Sequence, residues 1–398
     1  MKSPMRSAAG SSPPARGSVQ LAPADDERRT LLAAFAASTL LPFAGCSSKP
    51  ASPWESFKLG TSADLRAVWF ADALNGWVGG GSFNVVGGLV GRTRDGGKTW
   101  RFASNIVGDG GTRGGLLVSG LRFFGPDRGV ATTGGAGVYV TTDGGENWGR
   151  ARIAGGTDFM SDLMFLGDSP GWAAGDNGIW RTIDQGSEWS KIAPVGGQPR
   201  VGGRTVHFVN ESVGWLAGPN GMLRRSNDGG STWEQVTLPL PASDRPAFHD
   251  VHFVDERHGW VVGGDGTMFA TRDGGASWLA SDTGVKDARS AAKLETVQRA
   301  GKVDVIDAGD RTPGLTLSTI HFVNPSTGWL AGYYPNHGRS LILHTRDGGA
   351  TWRVEFEVAG EDIHALHVQG SNAIWAVGSR TREGAQSIYR RSLAAVAN

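Results

Sequence analysis

The octet Thr345-Arg346-Asp347-Gly348-Gly349-Ala350-Thr351-Trp352 is one of six related stretches in this chain. The others are Thr93–Trp100, Thr141–Trp148, Thr182–Trp189, Ser226–Trp233 and Thr271–Trp278. The copy at 182–189 is degenerate, Thr-Ile-Asp-Gln-Gly-Ser-Glu-Trp. Its Asp-Gly-Gly core reads as a hairpin turn. Glycine reaches positive φ without a Cβ clash, and Asp bonds the backbone of its own turn. The Thr or Ser two residues earlier ends one strand, and the Trp gives the next a large apolar anchor. A calcium loop would need more carboxylates than this spacing supplies.

A second signal keeps pace with the first. Gly76-Trp77, Gly171-Trp172, Gly214-Trp215, Gly259-Trp260 and Gly328-Trp329 each precede an octet, and Gly129-Val130 is a weaker member. Successive octet tryptophans are 48, 41, 44, 45 and 74 residues apart. Each unit reads as apolar strand, Gly-Trp strand, short strand, turn and Trp strand. Four short strands in about 45 residues is the size of a propeller blade. The long step contains a single Gly-Trp signal, so it is one blade with an insertion at 280–317.

Two leftovers raise the count from six blades to seven. After Trp352 come Ile363–Val368, Ile374–Gly378 and Ser387–Arg390, strands with no octet. Trp54 lies 46 residues before Trp100 and is in phase with the octet tryptophans. Residues 54–60 are therefore expected to be the outer strand of the last blade, a closure that removes exposed sheet edges. The expected fold is all-β: a seven-bladed β-propeller of four-stranded antiparallel blades over residues 54–398.

The chain has 398 residues, 62 of them Gly and 15 Trp, as hairpins in series demand. Formal net charge is +1 and only 19% of residues are charged, which argues against a nucleic-acid binder. Residues 1–45 read as an export signal region. Arg28 and Arg29 precede the apolar run 31–45, which is too short to span a bilayer comfortably. Phe43-Ala44-Gly45-Cys46 resembles a lipoprotein signal box, and Arg28-Arg29-Thr30-Leu31-Leu32 a weak twin-arginine signal. Cys46, the only cysteine, is the expected lipidation site, with cleavage before it and residues 46–53 as a tether. The expected place is the periplasmic face of a bacterial membrane. No cofactor or metal site is expected.

With strands named A to D outward from the axis, the octets are all C–D turns. The longer segments are B–C loops and D–A connections, which collect on the opposite face. Loops on a rigid scaffold are where recognition sits. The A strands begin on that loop face near the axis, with Arg66, Ser119, Ser161, Arg204, His249, Ser318 and His364 first and Asp162 and Asp250 among the next. This predicts a cationic and polar ring at the channel mouth, able to hold an anionic group or a peptide carboxylate, or else merely solvated. Tyr333 and Tyr334 are assigned to a loop on the same face. His207, His252, His321 and His367 recur in one phase, which is read as placing them between blades, far from one another, as hydrogen-bonding rather than metal-binding groups.

Thr-x-Asp-Gly-Gly-x-Thr-Trp resembles the Asp-box, or bacterial neuraminidase repeat. Together with Gly-Trp-x-x-Gly in phase over the mature chain, it is similar to the photosystem II stability/assembly factor family. That resemblance implies a seven-bladed lumenal or periplasmic protein that assists a newly made reaction-centre protein and binds through an arginine patch, to which Arg66 and Arg204 could belong. The sialidase resemblance would imply three clustered arginines, a Tyr/Glu pair and an acid. The four tyrosines, Tyr139, Tyr333, Tyr334 and Tyr389, do not fit that set. A glycosidase of another kind would need two opposed carboxylates, for which Asp162 and Asp250 are the axial pair. The reading is thus a non-catalytic, monomeric scaffold for a membrane protein or peptide segment. The alternative is a carbohydrate-binding or glycoside-hydrolysing propeller.

Overall fold

Each octet folds as a turn locked by its own side chains. In the computed structural model of the chain, Thr345 Oγ1 donates to Asp347 Oδ1 (2.8 Å) and accepts from the Gly349 amide (3.0 Å). Asp347 then accepts from the Thr351 amide (2.9 Å) and hydroxyl (2.6 Å). Gly348 and Gly349 have φ of 73° and 87°, where a Cβ would be strained. The same lock forms around Asp95, Asp143, Asp228 and Asp273. In the degenerate octet Asp184 keeps the Glu188 amide (3.0 Å), with Gln185 at φ 58° in the first glycine position.

The structure describes residues 53–81, 87–106, 117–134, 137–154, 159–193, 203–241, 244–284, 314–335, 338–380 and 386–393. The expected signal region, tether and Cys46 lie outside them, as does most of the insertion, 285–313.

The strands form seven sheets, each meandering from an inner A strand to an outer D strand. In blade one these are Asp64–Phe70, Gly76–Gly81, Gly88–Thr93 and Arg101–Ile106. The remaining A strands are Leu117–Phe123, Met160–Phe165, Thr205–Phe208, Phe248–Phe253, Thr316–Phe322 and Glu361–Gln369. The last sheet is completed by Trp54–Lys58, which pairs antiparallel with Ser387–Ser392 from Trp54↔Arg391 to Lys58↔Ser387. The ring is therefore closed by the N-terminal strand, as expected. Blade three gains a fifth strand that the repeat did not announce: Arg152–Ala154 adds in parallel to its outer edge.

The Gly-Trp pair builds the joint between blades. The glycine faces the phenylalanine that ends the A strand of its own blade, as in Phe253↔Gly259 and Phe322↔Gly328. A Cβ at Gly259 would lie 2.3 Å from the Phe253 ring. The tryptophan reaches across to the next blade. Trp260 stacks on Phe322 at 3.5 Å, and its indole N–H donates to the Gly348 carbonyl of the next octet (3.1 Å). The octet's own Trp352 meets Phe322 edge-on at 5.9 Å. Stacked Trp–Phe pairs recur at Trp77–Phe123, Trp172–Phe208, Trp215–Phe253 and Trp375–Phe70. An arginine from the C strand covers the other side of four of these tryptophans, for example Arg92 over Trp77.

Where blade seven lacks an octet, this joint is rebuilt. Val368 pairs with Ile374, so the phenylalanine and the glycine it demands are replaced together. Trp329 of blade six stacks instead on His344 of its own blade at 4.7 Å and donates to Glu355 (3.2 Å). Glu355 also receives Arg391 of blade seven at 2.7 Å. A buried ion pair stands where the turn would be.

Candidate functional site

The mouth residues owe their aim to a repeated irregularity. Strand pairing skips one residue between Leu65 and Ala67, Val118 and Gly120, Met160 and Asp162, Phe248 and Asp250, Leu317 and Thr319, and Ile363 and Ala365. The skipped residues are Arg66, Ser119, Ser161, His249, Ser318 and His364. Each is the extra residue of a β-bulge, a device that re-aims a side chain at a barrel rim. These residues were expected at the strand starts. The strands in fact begin about two residues earlier, so the bulge sets the phase.

The bulge residues divide by task. Ser119, Ser161 and Ser318 donate to Met160, Gly203 and Ile363 carbonyls of the next blade at 2.7–2.8 Å. His249 Nδ1–H donates to Leu317 O of the next blade (3.2 Å). These are staples. His364 pairs with Ser379 Oγ at 2.8 Å and meets the Tyr333 ring edge-on at 5.3 Å. Arg66 and the exposed Arg204 differ: neither guanidinium makes a hydrogen bond or ion pair among the described residues.

All of these groups line one cavity of about 1130 Å³ on the axis, together with Asp162, Asp250 and Tyr333. Tyr334 does not join them. It ends the B strand Gly328–Tyr334 rather than sitting in a loop, and alternation along the strand turns it into the core beside Leu315, Leu317 and Leu341. The B strand of blade six runs on to Tyr334 and the C strand starts at Arg339, so both tyrosines expected in a loop are strand residues.

Asp162 and Asp250, on blades three and five, act as clamps. Asp162 accepts from the Leu163 amide (2.8 Å) and from the Val206 amide of the next blade (3.0 Å). Asp250 accepts from Thr319 Oγ1 and the Ile320 amide, both at 2.9 Å, and from Thr205 Oγ1 at 3.3 Å. Thr205 also lies close enough to Asp162 to favour its charged form. Removal from water pushes Asp162 up to about 6. It pushes Asp250 up to about 7, with the Asp162 charge adding to the rise.

Asp362 is a charged neighbour of the site that the sequence reading missed. It precedes the His364 bulge by two residues and is half-buried near Arg66 and Asp64. Burial pushes it up to about 6 against the pull of Arg66. Burial and the nearby Arg66 hold His364 down at about 3, and burial with Arg204 lowers His249. Both imidazoles are therefore neutral near pH 7, so the cations at the mouth are the arginines alone.

Below the mouth the channel is ringed by the residue before each A-strand phenylalanine. Here the structure corrects an expectation: the recurring histidines are close together. His207 and His252 rings are 5.0 Å apart, and His252 and His321 are 4.5 Å apart. A strands converge on the axis, so equivalent positions of neighbouring blades meet. Their hydrogen-bonding role is as expected, because His207, His252 and His367 donate Nε2–H to Phe253, Phe322 and Phe70 carbonyls at 2.9–3.1 Å. Trp69 packs on His367 at 4.4 Å, and Arg122 lies over Trp69 at 4.2 Å. Burial lowers His207 to about 3 and His252 and His367 to about 4, which keeps these imidazoles uncharged. Among the described residues, no group of three His, Cys, Asp or Glu is placed to hold a metal ion.

Residues 240–319 match the family model described as photosynthesis system II assembly factor YCF48. The resemblance read from the repeats holds. A structure of YCF48 bound to D1 peptide superposes with a TM-score of 0.63 at 18% identity, covering 86% of this chain and 96% of that one. YCF48 from Cyanidioschyzon merolae gives 0.60 at 17%, covering 87% and 100%. An inactive virginiamycin B lyase from Staphylococcus aureus gives 0.56 at 11%, covering 85% and 99%. No curated protein matches the chain in sequence. At these identities the likenesses concern the fold, and the last belongs to an enzyme.

Proposed function

We propose that this chain is a non-catalytic binding scaffold whose loop-face funnel takes a peptide segment of a membrane protein during its assembly. The observation that carries the reading is the pair Arg66 and Arg204. Two guanidiniums without an ion-pair partner among the described residues line an axial cavity large enough for several residues of extended chain. A solvated guanidinium at a funnel mouth offers bidentate donors to a carboxylate or backbone carbonyl. The match to the YCF48 family over 240–319, and the D1 peptide bound by a YCF48 of like fold, support a peptide as the occupant.

A hydrolytic role fits the geometry less well. Glycosidic cleavage needs two carboxylates free to face the sugar, one as acid and one as base or nucleophile. Asp162 and Asp250 instead spend their oxygens on amides and hydroxyls of neighbouring blades. We further propose that the chain is exported and lipid-anchored at Cys46. Mass spectrometry of the N-terminal peptide from the membrane fraction checks this, and an unmodified cysteine there would overturn it.

Affinity capture from native membranes, with the parent protein beside an Arg66→Ala/Arg204→Ala double variant, tests the main reading. A membrane protein recovered by the parent and lost with the variant supports it. Equal recovery by both moves the site away from the funnel, and recovery of glycan alone favours a carbohydrate-binding propeller.

A further inference from the structure

The carboxyls that clamp the blades also border the site of the free arginines. Asp162 and Asp250 line the same cavity as Arg66 and Arg204, on A strands of blades three and five. Asp362 of blade seven lies behind this lining, close enough to Arg66 and Asp64 to feel both charges. The neighbours facing these carboxyls are mostly uncharged: Thr205 and Thr319 on Asp250, and backbone amides on Asp162. His249 and His364 are neutral above the acid range, and Tyr333 is raised, first by burial. Asp176, from the B–C turn of blade three, also lines the wall.

Within this cavity two fixed cations therefore share the space with Asp162 and Asp250, and a third carboxyl, Asp362, lies beside Arg66. The charge that acts on Asp250 is that of another carboxylate, Asp162, which raises it further. An anion entering beside Arg66 and Arg204 must share the cavity with whatever charge those carboxyls carry. Field lines in a low-dielectric cleft are focused rather than screened, so this charge is felt across the funnel.

We propose that the funnel is a proton-linked receptor for acidic peptide segments, taking up its carboxylate-bearing ligand together with protons on Asp162, Asp250 and Asp362. The inference rests on the reading of the funnel as a peptide site and adds the ligand's charge and its regulation. At mildly acidic pH the mouth presents Arg66 and Arg204 to the ligand with little opposition. With Asp162 and Asp362 near 6 and Asp250 near 7, rising pH adds up to three negative charges and reverses the preference. A ligand that binds the protonated form loses up to tenfold in affinity per pH unit for each linked proton, above that group's pKa.

The test is fluorescence anisotropy on the whole mature protein at about pH 5.5 and about pH 8, with circular dichroism confirming the fold at both. The probes are N-terminally labelled tetraglutamate and tetraglutamine, each with a free carboxy terminus and as the amide. The expected result is tetraglutamate binding at least about tenfold tighter at the lower pH. Loss with the tetraglutamate amide but not with tetraglutamine acid would assign the carboxy terminus as the recognised group, and the converse would assign the side chains. The triple variant Asp162→Asn/Asp250→Asn/Asp362→Asn should keep the tighter affinity at the higher pH, a gain that a folding defect does not produce. Equal binding at both pH values, or a triple variant as pH-sensitive as the parent, overturns the proton linkage alone. No binding of any probe at either pH overturns the peptide-site reading beneath it.

Discussion

Aspartates on the two faces of this propeller are chemically the same residue in opposite states. On the octet face, Asp347 accepts a backbone amide and a hydroxyl within its own turn and is held down at about 2, chiefly by Thr351. Asp95, Asp143, Asp228 and Asp273 are likewise held at about 2. At the funnel mouth, Asp250 also accepts an amide and a hydroxyl, yet it is pushed up to about 7 because burial outweighs those bonds. The hydrogen-bond inventories are similar and the solvent exposure is not. The octet face is built to be finished, with each charge answered locally. The loop face keeps its carboxyls bonded but leaves Arg66 and Arg204 without a partner among the described residues.

If the octet face is the structural half, the largest losses of stability belong there. Trp260→Ala removes a buried indole stacked on Phe322 and bonded to the neighbouring octet. A cost of about 3–5 kcal/mol is expected in urea unfolding, as for other buried aromatic truncations. A cost under about 1 kcal/mol would mean that the Trp–Phe–octet joint is not what holds blades together.

A smaller loss follows from opening one turn lock. Thr345→Val keeps the shape but removes the oxygen that serves both Asp347 and the Gly349 amide. The expected cost is about 1–3 kcal/mol, the penalty of a buried donor left unpaired. Chemical denaturation of the variant checks it.

Asp250→Asn separates the faces by pH. The folded carboxyl is pushed up to about 7 from an ordinary 3.8, so between those limits the native state holds more protons than the unfolded chain. Its contribution to stability is complete below about 3.8 and is lost as pH rises toward about 7. The parent's Tm should therefore fall relative to the Asn variant across that window. The octet carboxylates have the opposite sign: their contribution is present above about 3.8 and lost as pH falls through about 2. Melting curves that run parallel for parent and variant would show that Asp250 is an ordinary carboxylate.

The smallest expected change in stability is at the arginines. Arg66→Ala/Arg204→Ala should stay within about 0.5 kcal/mol of the parent. A loss above that in thermal melts would make them structural and end their role as free ligand contacts.

Much of this was legible in advance because the repeat is a local code. Each octet carries its own donors, acceptors and glycines within eight residues, so turn, strand order and blade count follow from spacing alone. The absence of an octet after Trp352 also identified the blade completed by Trp54–Lys58. The mouth was only half legible. Arg66, Arg204, His249, Asp250, Asp162, His364 and Tyr333 do meet at one cavity. Tyr334 does not, because its side of a strand depends on where pairing begins. Asp362 was missed because only the bulge at His364 brings that strand end against Arg66.

The amino-acid sequence by itself determined the blades and the turn chemistry of one face, since these rest on contacts between residues near in the chain; the closure joins Trp54–Lys58 to the distant Ser387–Ser392 and was legible only through the phase of Trp54. Only the tertiary structure decided the rest. Seven A strands converging on an axis bring together residues far apart in sequence. That convergence packs His207, His252 and His321 against one another, brings Asp162 close enough to Asp250 to act on its charge, and draws those carboxyls away from water. Proximity and desolvation are properties of the assembled ring, and no single blade contains them.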